Sequence, residues 1–150
     1  MGSRIPEVIA RLVALGKGDT ELVDVHVSDG PDVTEDPALD WLIIGFDGDQ
    51  TGDFEAAQST SDWADLGGGR EEEFQVTVAA VAKRGDTDIV SARARVYEIG
   101  SRVEAWVQAD PTLGLASLQA RVAGTRLVQD QTPNGAQAVL LMTVTGRGFT

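Results

Sequence analysis

From Ile5 to Leu15 the apolar residues Ile5, Val8, Ile9, Leu12, Val13 and Leu15 fall on one helical stripe, with Ser3 placed as N-cap and Gly16 as C-cap. Val23, Val25 and Val27 then alternate with Asp24, His26 and Ser28, the period of a half-buried strand, which Asp29-Gly30-Pro31 halts. That alternation sets His26 beside Asp24 on the polar face. After a polar loop to Asp40, Trp41 to Phe46 forms a continuous apolar run too short for a helix and rich in strand formers, which predicts a central strand.

The pattern then fails. Asp47 to Arg70 has little periodicity and is rich in glycine and acids; a structureless stretch this long in a compact domain is normally functional or mobile. Phe74, Val76 and Val78 restore a two-residue period in a strand running to about Lys83 and closed by Arg84-Gly85, with Glu71 to Glu73 as its solvated entry. A long helix follows, capped by Thr87, with Ile89, Ala92, Val96, Ile99, Val103 and Trp106 as its buried stripe and Pro111 barring continuation beyond Asp110. Two last strands, Leu118 to Gln131 and Ala136 to Thr145, flank Thr132-Pro133-Asn134-Gly135, whose Asn-Gly pair suits a type I′ hairpin. Gly124 marks a bulge in the first of them. The expected architecture is α+β: a mainly antiparallel sheet of about five strands with two helices on one face, in the order α-β-β-loop-β-α-β-β.

Composition agrees with one folded domain over residues 1–150, of which 42% are hydrophobic and 24% charged. The chain has no apolar run near the ~20 residues that span a bilayer, and its first residues lack a secretory signal, so a soluble protein is expected. With no cysteine there is no thiol nucleophile, zinc finger or iron–sulfur site. The net charge of −12 repels phosphate backbones and argues against a nucleic-acid reader. Its distribution is uneven: residues 1–73 hold four Lys and Arg against 18 Asp and Glu, a net of −14, and residues 74–150 hold eight against six, a net of +2. The two halves are electrostatically complementary.

Candidate chemistry is sparse. Asp47, Asp49 and Asp53 carry oxygen ligands at alternate positions with Gly52 sixth, as in a calcium loop, but the fifth residue is Thr51, the twelfth is Gln58, and a strand precedes them. A calcium-dependent binding module is therefore the alternative of a different class. Leu66-Gly67-Gly68-Gly69-Arg70 lacks the Gly-Lys-Ser/Thr of a phosphate cradle and reads as a flexible linker. His26 is the single histidine, so any triad, histidine acid–base pair or two-histidine metal site would have to begin there, and its alternation with the valines reads instead as an exposed strand histidine. Trp41 and Trp106 lie on apolar patterns and read as core, whereas Trp63, between Asp62 and Asp65, suits a partner-binding anchor.

Several stretches together resemble the tail terminator proteins of long, non-contractile-tailed phages, especially those of actinobacterial hosts. They are the Ile5 to Leu15 helix, Val27-Ser28-Asp29-Gly30-Pro31, Trp41-Leu42-Ile43-Ile44-Gly45-Phe46-Asp47-Gly48-Asp49, Glu72-Glu73-Phe74, Ala109-Asp110-Pro111-Thr112-Leu113-Gly114 and Gln129-Asp130-Gln131-Thr132. The likeness spans nearly the whole chain, and the order of elements also resembles that fold. It implies a virion structural protein in the neck: a ring, commonly of six copies, that caps the tail tube, stops its polymerisation and joins the head-side connector. Another head–tail connector protein is the neighbouring reading. Such a role calls for no active site and no cofactor. DNA would pass through the lumen without specific binding, and surplus acids lining it would keep the duplex from sticking.

A ring is a heterologous assembly, so one face of each subunit meets a different face of its neighbour. Acids from Asp29 to Glu73 would face basic residues of the next copy, drawn from Lys83, Arg84, Arg93, Arg95, Arg102, Arg121 and Arg126, and Trp63, Asp65 and Arg70 of the long loop are further interface candidates. Exposed ion pairs are worth about 0–1 kcal/mol each and are screened beyond about 8 Å at physiological salt, so they steer association more than they hold it. Assembly is accordingly expected to weaken between about 0.05 and 1 M salt in a mass measurement, and an unchanged mass contradicts this pairing.

Overall fold

The computed structural model describes residues 2–32, 39–49, 51–63, 69–133 and 135–150. Helix α1 (Ile5–Gly18) is followed by a 3₁₀ turn (Thr20–Leu22), β1 (His26–Asp29), β2 (Asp40–Ile44), β3 (Ala57–Trp63), β4 (Arg70–Arg84), α2 (Ile89–Ala109), β5 (Leu118–Thr132) and β6 (Gly135–Phe149). The strands form one six-stranded sheet in the order β1-β2-β4-β6-β5, with β3 beside the first half of β4. Only β1 and β2 pair in parallel; the other pairs are antiparallel. The chain is α+β, as its periodicities predict.

Alternation along β4 divides the sheet into two faces. Phe74, Val76, Val78, Ala80 and Ala82 point to one face and pack with Leu140, Met142 and Val144 of β6 under Val8 and Leu12 of α1 and Val96, Ile99 and Val103 of α2. Each fully buried Val or Leu contributes about 1.5–3 kcal/mol relative to exposure, which is what seats both helices on this side. On the outer face a smaller cluster of Ile43, Phe46, Ala79, Val81 and Val139 packs with Trp41 and Leu141. Residues flanking β2 and β3 lie over it: Gly48 faces Val81 and Val139, and Phe54 stacks on Phe46 at 5.3 Å between centroids.

Several local expectations are corrected. The stretch from Asp47 to Arg70 is not structureless, because Ala57–Trp63 forms β3, paired from Ala57↔Val76 to Trp63↔Arg70. Its alternation is carried by Gln, Ser and Thr, which leave no apolar period to read. Gly16 does not end α1, which runs to Gly18; a Cβ there would lie 2.9 Å from Val27, so Gly16 lets the helix close onto β1. Val23 is 87% exposed in the turn before β1, which begins at His26. Asp88, not Thr87, caps α2, accepting a hydrogen bond from Ser91 N–H. Glu72 is no solvated strand entry: it is 2% exposed and accepts hydrogen bonds from Ser3 Oγ at 2.5 Å and Arg4 N–H at 2.7 Å, which ties the start of α1 to β4.

The β5–β6 hairpin and its bulge are present, the register shifting between Val122 and Gly124. Thr132 pairs with Gly135, so the loop residues are Pro133 and Asn134, not Asn-Gly. Proline holds φ near −65°, which excludes a type I′ turn. Asn134 lies outside the described residues. Gly135 instead opens β6 at φ 130°, where a Cβ would lie 2.2 Å from Arg84 O.

Backbone contact also decides one glycine in β6. A Cβ on Gly146 would lie 2.4 Å from Gln119 O and 3.0 Å from Ala120 Cα, atoms the sheet ladder does not release. Gly146→Ala is expected to destabilise the chain by about 1–3 kcal/mol or more in chemical denaturation. Gly124→Ala, with nothing within 4 Å of the added carbon, should be close to neutral; equal effects would contradict this account of the packing.

Candidate functional site

The structure brings the two oppositely charged halves together inside the chain. Arg84 Nη1 lies 2.8 Å from Asp40 Oδ1, and Arg95 reaches Asp40 Oδ2 at 3.1 Å, Asp24 at 2.8 Å and Glu98 at 2.9 Å. Asp40 is buried, so these two guanidinium groups balance a charge removed from water and fasten the start of α2 to β2 and β4. Arg102 Nε pairs with Asp19 Oδ2 at 2.8 Å and Nη1 with Glu21 at 3.1 Å, while Trp106 Nε1–H donates to the same Asp19 oxygen at 2.8 Å. Trp106 is thus half-buried with its polar edge satisfied. Burial pushes the Asp19 carboxyl up, but the hydrogen bonds from Arg102, Glu21 N–H and Trp106 together hold its pKa below the usual value. Arg93 Nη1 donates to Gln129 Oε1 at 3.0 Å. Of the cations expected to face another copy, Arg84, Arg95 and Arg102 are therefore ion-paired at home, and Lys83, Arg121 and Arg126 remain exposed.

The acidic loop satisfies itself. Asp47 Oδ1 accepts from Asp49 N–H at 2.8 Å, Asp49 Oδ1 from Thr51 N–H at 2.9 Å and Thr51 Oγ1–H at 2.8 Å, and Asp53 Oδ1 from Glu55 N–H at 3.0 Å. The Thr51 amide and hydroxyl hold the Asp49 carboxyl below its ordinary pKa. Each aspartate thus turns onto its own backbone as an Asx turn. Among the described residues no group of three or more His, Cys, Asp or Glu is placed to hold a metal ion.

His26 is not set out beside Asp24, which pairs with Arg95. Its Nε2 lies 2.7 Å from Asp32 Oδ2 and its ring 4.2 Å from that of Trp41, half-buried at the edge of the outer face. Ser28, two residues on, donates to Gly30 O, so the histidine is not joined to that hydroxyl.

What stands out is the sheet end formed by β3 and the first half of β4. Every residue of β3 from Gln58 to Trp63 is exposed, on both faces. Trp63, 68% exposed, has the Arg70 guanidinium 5.0 Å from its ring centroid, a cross-strand cation–π pair. Arg70 Nε is buried with no hydrogen-bond partner among the described residues. Asp65 lies outside them. Across the sheet, β5 has only β6 as neighbour and exposes Val128 on the outer face. No helix of the described residues is long and apolar enough to cross a membrane. Neither a protein-family model nor a curated protein matches the chain.

The Asp19 centre has a definite pH signature. Asp19→Asn is expected to cost about 1–3 kcal/mol near neutral pH, by weakening charge-assisted hydrogen bonds at a nearly buried carboxylate. Because the folded pKa is depressed, this stability is present above the unfolded pKa and lost as pH falls through the folded one. Denaturation curves of the variant and the native chain should converge in strong acid; a gap that persists there contradicts the assignment.

Proposed function

We propose that the chain is a non-enzymatic virion structural protein, a tail terminator that assembles into a ring, caps the tail tube, ends its polymerisation and contacts the head-side connector. The observation that carries this reading is β3: a seven-residue strand exposed on both faces is a poor investment for a monomer, since burial is what stabilises strands, and it suits a surface that a second protein covers. Three features support it. Many of the ionisable groups of the described residues, among them Asp19, Asp40, Arg84, Arg95 and Arg102, are engaged in fold-holding pairs, and Asp47, Asp49 and Asp53 in Asx turns. Large apolar side chains, among them Trp63, Tyr97, Val128 and Phe149, stand exposed on a chain of net charge −12. The order of elements, helix, strands, long helix and final hairpin, also agrees with the sequence resemblance.

The mechanism is steric and electrostatic. A ring that binds the end of the tube occupies the surface on which the next tube subunit would add. Its acidic loop residues Asp47, Asp49 and Asp53, turned onto their own backbone, would repel passing DNA. Another neck connector would form a ring without ending tube growth, so the decisive measurement is tube length. Adding the purified chain to tail tube protein of the same phage should shorten tubes and place a ring of about six copies at one end by electron microscopy and native mass measurement. Tubes of unchanged length with no ring at either end refute the reading.

A further inference from the structure

Three strand edges of the sheet face no other described strand, those of β1, β3 and β5; β1 has only four residues, with Val27 and Ser28 buried, so the long exposed edges are β3 and β5. Exposed N–H and C=O groups along such an edge are a template for pairing, and neither edge here is blunted by proline within the exposed stretch. The topology sets their relative direction. From β3 to β4 to β6 to β5 each step is antiparallel, so β3 and β5 run in opposite directions. A neighbouring copy that continues the sheet in the same sense therefore brings its β3 against β5 antiparallel, the more stable arrangement.

Charge selects the same partners. Asp62 on β3 and its row partner Glu71 on β4 share the outer face with Arg121 and Arg126 of β5, which pair with Thr145 and Leu141 of β6. The acidic edge and the basic edge thus lie on one face at opposite ends of the sheet; Asp130, toward the hairpin turn, is the acid of β5. Two β3 edges would supply only acid charge to the outer face and two β5 edges chiefly arginines, whereas β3 against β5 supplies both signs. Like charges across strands are destabilising, opposite ones favourable.

We infer that copies of this chain join by antiparallel pairing of β3 in one copy with β5 in the next, making one continuous sheet through the assembly. Closure of that sheet into a ring rests on the tail-terminator reading; the edge pairing itself does not. The contact is heterologous, as a ring or an open filament requires, and it pairs the outer backbone edge of β3, which no described strand of its own chain covers.

The test is hydrogen exchange by mass spectrometry on the full chain, dilute and assembled, alone and with tail tubes, together with charge reversal. Amides in residues 57–63 and 123–131 should slow by at least about tenfold on assembly, since an amide joining a ladder exchanges only when it opens. Asp62→Lys should weaken assembly by up to about fivefold, the scale of an exposed ion pair, and Arg121→Glu with Arg126→Glu in the same chain should restore it. A ring whose β3 and β5 exchange as in the dilute chain overturns the edge pairing and leaves the tail-terminator reading standing. Open filaments with both strands protected, and tubes of undiminished length, uphold the pairing and overturn that reading. Absence of any assembly, alone or on tubes, overturns both.

Discussion

The fifteen residues of β4 pair with β2, β3 and β6, and the alternation of their side chains decides which face of all three strands meets the helices. A slip of one residue would turn Phe74, Val76 and Val78 to the outer face and set Gln75 and Thr77 against α2. The small side chains Ala80 and Ala82 lie where the helices cover the sheet, and Gly100 of α2 would place a Cβ 2.7 Å from Leu140, so the packing there depends on missing atoms as much as on those present. Glu72 extends the same register to the charged end of the strand: it sits on the helix-facing side and is satisfied there by Ser3 and Arg4.

Charge operates at two levels. Asp19, Asp24 and Asp40 are held by Arg102, Arg95 and Arg84, so part of the complementarity between the halves of the chain is an internal clamp of α2 onto the sheet and the turn after α1. Asp62 and Glu73 stay exposed on β3 and the neighbouring part of β4, and Arg121 and Arg126 at the opposite edge. A whole-chain charge conceals this division because it counts clamped and exposed carboxylates alike. The surface polarity from edge to edge is the part that can act on another molecule.

Periodicity made α1, β2, the body of β4, α2 and the β5–β6 hairpin legible, because in each a buried stripe or alternating row of Val, Ile and Leu records the neighbouring layer. The bulge at Gly124 was legible for a similar reason, since a glycine inside a strand pattern points to broken register. β3 was not, because a strand that buries nothing leaves no apolar trace. Of the candidate interaction residues, Trp63 and Arg70 come together across the β3–β4 pair, a meeting that depends on a register no local pattern encodes. The reach of Arg95 to Asp24 and Asp40, 71 and 55 residues away, is likewise absent from any spacing rule.

By itself the sequence determined the α+β class, the two-sided charge division and the absence of thiol chemistry and of a histidine pair, since these follow from residue types and local periods. Only the tertiary structure decided which charges are clamped and which remain outward, that β3 exists, and that β3 and β5 run antiparallel to one another with outer edges that no described strand covers. Those properties arise from strand order and register, which are set by contacts between residues far apart in the chain.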